Sequence, residues 1–146
     1  EETVTIRGPK GELNRVRVLG PLRGETQVEI SVADGFVLGV KPPVRESGQL
    51  ENTPGIEIIG PKGSVKKERG VIAALRHIHM TPDIARRLGY QDGQYVQTRI
   101  EGLRGALLCN VLVRVSDSYA LEMHIDVEEA NALGVKTGDR AFFVED

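Results

Sequence analysis

The sequence predicts a mainly β fold with short α-helices: two small β-barrels related by a pseudo-two-fold, each capped by short helices. Three observations predict it. Short runs rich in Val and Ile dominate the chain, helix signals are few and share one form, and a stretch of the first half recurs in the second at a constant offset. A single β-sandwich is the alternative topology.

The strand signals are "TVTI", "NRVRVLG", "TQVEIS", "GIEIIG", "GVIAAL", "QYVQTRI", "ALLCNVLVRV", "YALEMHI" and "AFFVE", each bounded by Gly, Pro, Asn or Asp. "GPKG" at 8–11 and again at 60–63 reads as a tight turn both times. Helices are expected over 31–40, 81–90 and 126–135. Each opens on an N-cap residue (Ser31, Thr81, Asp126), carries an acid in its first turn (Asp34, Asp83, Glu129) and closes on Leu-Gly. Pro82 at a first helical position fits the same scheme.

The repeat aligns residues 16–40 with 111–135. Val16 meets Val111, Val18 meets Val113, Ile30 meets Ile125 and Leu38 meets Leu133, at an offset of 95 (111 − 16 = 95). The expected division is 1–68 for a first barrel half, incomplete at its N-terminus, and 69–146 for a second. The chain has no initiator Met and opens almost at once on a strand, so it is expected to be a fragment.

With 19 Lys and Arg against 21 Asp and Glu, mixed along the chain, a nucleic-acid partner is not expected. No apolar stretch is long enough to span a bilayer, so no membrane partner is expected either. Trp is absent, and Phe and Tyr number three each, which leaves the core to Val, Leu, Ile and Ala. The single cysteine, Cys109, excludes an internal disulfide; its apolar run reads as a buried strand, with Cys109 a small buried hydrophobe.

Two of the three histidines stand one residue apart in "RHIHM" and the third lies in "LEMHID". Alternation along a strand puts His77 and His79 on one face and Ile78 on the other. In "LEMHID" the polar face carries Glu122, His124 and Asp126. In "TQVEIS" it carries Gln27, Glu29 and Ser31. The repeat offset pairs Glu29 with His124 (124 − 29 = 95). A His-x-His pair with a distant third histidine suits zinc, cobalt or nickel with positions left open. The plainer alternative is two solvent-facing histidines on a strand and one satisfied elsewhere. Arg17 and Arg23 flank a Gly/Pro loop suited to gripping a phosphate oxygen, or are solvated loop charges.

The blocks "GPKG…VRVLGPLRGETQVEIS", "PVRESG", "GPKGSV…GVIAALRHIHMTP" and "ALEMHIDVEEANALGV", in this order and over essentially the whole chain, resemble the PduL-type phosphotransacylases, the phosphate propanoyltransferases of propanediol utilisation. The resemblance implies a reversible transfer of a short acyl group between coenzyme A and inorganic phosphate. It implies two barrels with two zinc ions between them. One zinc takes His77, His79 and His124. The other takes Glu29 and two histidines of an N-terminal His-x-His block that this sequence lacks. Arg23 falls on a phosphate contact, and Arg17, Leu19, His124 and Asn131 fall on coenzyme A contacts. One zinc bound well, a second bound poorly and weak or no turnover are therefore expected of this chain. The resemblance further implies a cytoplasmic protein, housed in many relatives in the lumen of a bacterial microcompartment, and admits a homo-oligomer.

On this reading the histidine-held metal faces phosphate or its bound water, and the Glu29-side metal faces the coenzyme A sulfur. Phosphate attacks the thioester directly, with no acyl-enzyme, because Cys109 is expected inside an apolar run. A zinc-dependent thioester hydrolase and a non-catalytic β-barrel scaffold module are the rival readings.

Overall fold

Alternating apolar residues on short strands build two hydrophobic cores in the computed structural model, which describes residues 2–145. The chain divides into two compact units, Glu1–Ala74 and Leu75–Asp146. The division lies between residues 74 and 75, whereas the sequence places it between 68 and 69. Parallel pairing assigns the intervening strand to the first unit.

In the first unit, β1 (Thr3–Arg7) and β2 (Glu12–Arg17) form a hairpin across the first "GPKG", where the Gly8 N–H donates to the Gly11 carbonyl at 2.9 Å. Next come β3 (Val28–Glu29), α1 (Val32–Leu38), β4 (Val44–Arg45), β5 (Ile56–Gly60), β6 (Gly63–Lys67) and β7 (Val71–Ala74). The second "GPKG" turns β5 into β6, with Gly60 opposite Gly63. One antiparallel sheet has the order β2-β1-β5-β6, and β7 pairs in parallel with both β3 and β4. Ile6, Val28, Ile30, Leu38, Ile56 and Val71 form the core.

The second unit runs β8 (His77–Met80), α2 (Pro82–Leu88), β9 (Tyr95–Ile100), β10 (Ala106–Val115), β11 (Glu122–His124), α3 (Val127–Leu133) and β12 (Ala141–Phe143). Its five strands take the order β11-β8-β10-β9-β12. Ile78, Met80, Val111, Val113 and Leu133 are central to its core. The fold is thus mainly β with three short helices among the described residues.

The helices begin and end where their caps dictate. Ser31, Thr81 and Asp126 are the N-caps, and Gly39, Gly89 and Gly134 close them in the left-handed conformation. Ser31 with Asp34 and Asp126 with Glu129 make reciprocal capping boxes. The helix starts Val32 and Val127 keep the sequence offset (127 − 32 = 95).

The orders β2-β1-β5 and β10-β9-β12 are the same antiparallel arrangement. Each contains a bulge whose second residue is left-handed: Arg15 with φ 60° and Asn110 with φ 55° (110 − 15 = 95). The units differ beside β10. There β8 lies between β10 and β11, whereas β2, the counterpart of β10, is an edge strand among the described residues.

The bulge overturns the expectation for Cys109. It is exposed, because the register slips between Leu108 and Val111 and breaks the alternation on which a buried reading depends. Two strands, β4 and β6, were not among the sequence signals. The first is two residues long, and the second, "GSVKK", is mostly exposed and charged.

Candidate functional site

In the second unit the His-x-His spacing lies on β8, whose burial alternates: Ile78 and Met80 enter the core while His77 and His79 are half-buried on the opposite face. Antiparallel β11 sets His124 directly opposite His77 and Glu122 opposite His79. Three imidazoles thereby gather. Ring centroids lie 4.7 Å apart for His77 and His79, 5.0 Å for His77 and His124, and 4.7 Å for His79 and His124.

The rings are oriented differently. His77 Nδ1 lies 2.9 Å from the Leu75 carbonyl oxygen, which only accepts, so Nδ1 carries a proton and donates it there. His124 Nε2 lies 3.2 Å from Glu122 Oε2. His79 lies flat against Tyr119 at 3.8 Å. Burial pushes His79 down to about 4, helped by His77, His124 and Arg114 and opposed by Glu122. His79 is therefore neutral at physiological pH, as an imidazole ligand must be. Among the described residues, no three His, Cys, Asp or Glu side chains stand ready-converged on a metal position. The three rings are close, but His77 and His124 stack, with an interplanar angle of 19°.

The first unit holds Arg23 and Glu29 in one hydrogen-bonded chain. Arg23 Nη1 donates to Ser47 Oγ at 2.8 Å; Gln27 Nε2 donates to the same oxygen at 2.9 Å and to Glu29 Oε1 at 2.6 Å. The Gly48 N–H donates to Gln27 Oε1 at 2.7 Å, which fixes the amide's orientation. Val28 is buried, so alternation turns Gln27 and Glu29 outward together.

The remaining predicted residues are exposed. Arg17 ends β2, opposite Thr3, and Leu19 follows in the loop at 74% exposure. Asn131 lies on α3, where its carbonyl accepts from Arg104 Nη1 at 3.4 Å. Arg17, Leu19, Arg23 and Glu29 belong to the first unit; His77, His79, His124 and Asn131 belong to the second. A concave space of about 330 Å³ lies against Ile84, Arg87, Leu88 and Leu121, away from the three histidines.

Gln27, Ser47 and Tyr119 escape the sequence reading as members of this machinery. Gln27 was legible as a neighbour of Glu29 on one strand face, and Ser47 sits in "PVRESG". Tyr119 opens the strand signal "YALEMHI", but the observed strand is confined to Glu122–His124, which leaves Tyr119 in the turn before it.

The family model described as phosphate propanoyltransferase matches residues 1–136. Curated relatives of that name include one from Rhodopseudomonas palustris, 62% identical over 95% of this chain and 62% of its own length. One from Rhodobacter capsulatus is 61% identical over 92% of this chain and 63% of its own. One from Thermotoga maritima is 56% identical over 99% of this chain and 70% of its own. The chain thus spans less than two thirds of the length of the first two.

Proposed function

Because this chain belongs to the phosphate propanoyltransferase family, we propose that it carries part of a phosphotransacylase, which converts acyl-CoA and phosphate to acyl phosphate and CoA. The observation that carries this reading is the gathering of His77, His79 and His124 on adjacent strands.

The donor set fits zinc. Neutral imidazoles are its usual ligands at about 2.0–2.1 Å, and centroids 4.7–5.0 Å apart leave the nitrogens within reach of one ion by side-chain rotation. His77, His79 and His124 would hold it. Glu29 would serve a second zinc, whose other ligands are not histidines of this chain, since all three are assigned to the first ion. A bound zinc supplies Lewis acidity and fixed positive charge beside the reacting groups.

Arg23, steadied by Ser47, turns its remaining N–H groups to phosphate and offsets its charge. Gln27 holds Glu29 and Ser47 in one frame. Arg17, Leu19, His124 and Asn131 receive coenzyme A, with exposed Leu19 offering apolar surface to its pantetheine arm. A phosphate oxygen attacks the thioester carbonyl carbon; the C–O bond forms, the C–S bond breaks, and CoA leaves as thiolate. This route needs no acyl-enzyme. Each unit serves as one small β-barrel half capped by short helices. The protein works in the cytoplasm, including the microcompartment lumen, and as a homo-oligomer. Among the described residues no helix is long and apolar enough to cross a membrane.

The test is release of CoA thiol from propionyl-CoA, with and without phosphate, alongside metal content. Release that requires phosphate, and that His79→Ala abolishes together with a metal equivalent, supports the transferase. Release without phosphate identifies a hydrolase, and absence of both release and metal identifies a scaffold module.

A further inference from the structure

Each imidazole of the triad has its own orienting contact. For His77 it is the Leu75 carbonyl and for His124 the Glu122 carboxylate. For His79 it is an aromatic face: the Tyr119 ring lies 3.8 Å away with an interplanar angle of 6°.

Tyr119 reaches this position through a turn tied to the histidine strand. Its N–H donates to the Ser116 carbonyl at 3.2 Å, and the Ser116 N–H donates to the Met80 carbonyl, one residue past His79, at 3.1 Å. The Ser116 and Ser118 hydroxyls share a hydrogen bond of 3.0 Å inside the turn. Tyr119 is half-buried. A parallel ring contact fixes the plane of an imidazole and covers one face, while its edge nitrogens stay clear.

We infer that Tyr119 is a positioning residue, which holds the His79 ring in the plane from which its nitrogen joins His77 and His124 on a divalent cation. The inference rests on the reading of the triad as a cation site. Tyr119 acts through His79 and touches no substrate.

Cobalt(II) titration of this chain, followed by visible absorption, tests it with three variants. Tyr119→Phe keeps the ring and binds cobalt within about twofold of the parent. Tyr119→Ala and Tyr119→Leu, the latter keeping bulk, weaken binding about three- to tenfold and alter the spectrum. Without metal, NMR reports the ring stack directly: the His79 ring protons lose their upfield shift in Ala and Leu and keep it in Phe. Thermal melts of the metal-free variants show which of them are folded, and Leu serves if Ala is not. Parent-like affinity and spectrum in the Leu variant overturn the inference, as does a loss in Phe equal to that in Leu. A parent chain that binds no cobalt defeats the triad reading itself, and this inference with it. An unchanged upfield shift in Leu defeats only the inference.

Discussion

Arg76 Nη1 stands 2.8 Å from Glu129 Oε2, so the residue before the histidine strand is tied to the first turn of α3. The other carboxylate oxygen of Glu129 accepts from the Asp126 N–H at 3.2 Å and completes the capping box. Arg76 Nε donates to the Cys109 carbonyl at the bulge, at 2.9 Å. One arginine, through an ion pair and a hydrogen bond, thereby joins the start of β8, the β10 bulge and the helix that follows His124. Glu129→Ala removes cap and ion pair together, and we expect a loss of about 1–3 kcal/mol in urea unfolding. Glu129→Gln should lose less, since its amide oxygen still caps; equal losses would remove the cap from the account.

His79 gives the metal-free chain an acid sensitivity of definite sign. Its folded value is about 4, below the 6.5 of the unfolded chain. Between these the unfolded chain binds the extra proton, so stability falls as pH drops through 6.5 towards about 4 and levels off below. Urea midpoints across this range should decline, and His79→Gln should flatten the decline. An equally steep decline in His79→Gln would assign it to other groups.

Gln27 bridges the predicted phosphate residue and the predicted metal-side carboxylate. Gln27→Leu keeps much of the volume and removes three hydrogen bonds. In the phosphate-dependent assay we expect the KM for phosphate to rise about tenfold, with the KM for acyl-CoA little changed. Arg23→Ala should have the same signature and a larger effect. A rise confined to acyl-CoA would reassign both residues.

Exposed Cys109 can no longer be dismissed as a nucleophile on grounds of burial. Direct attack by phosphate predicts that Cys109→Ser retains full activity and that alkylation of the native thiol is harmless. Recovery of an acylated Cys109 after rapid quench would establish the two-step route instead.

The left-handed Arg15 bears a steric cost that glycine does not. Arg15→Gly should raise the urea midpoint, reflecting about 0.5–1 kcal/mol more stability after the entropy of glycine is subtracted. A lower midpoint would mean that the arginine side chain outweighs the backbone.

Local chemistry was legible and distant chemistry was not. Ser31, Thr81 and Asp126 announce their helices because a cap is read within four residues, and Gly39, Gly89 and Gly134 end them for the same reason. The face shared by His77 and His79 follows from strand period alone. The bulge at Cys109 and Asn110 interrupts that period without a glycine to mark it, so its effect on exposure was hidden. The contact of Gln27 with Ser47 spans 20 residues and exists only after β3 and β4 have both paired with β7. Charged β6 lacks the apolar alternation by which strands are recognised; its partner β5 supplies the pairing.

Glu29, His79 and His124 each precede a helix cap by two positions: Ser31, Thr81 and Asp126. The backbone thus offers one socket three times, with an oxygen donor in one and nitrogen donors in the others. Such a socket accepts a change of occupant without rebuilding its walls. On the proposed cation reading, exchanging oxygen and nitrogen donors between these sockets, Glu29→His or His124→Glu, becomes a way to retune cation preference while leaving the scaffold alone.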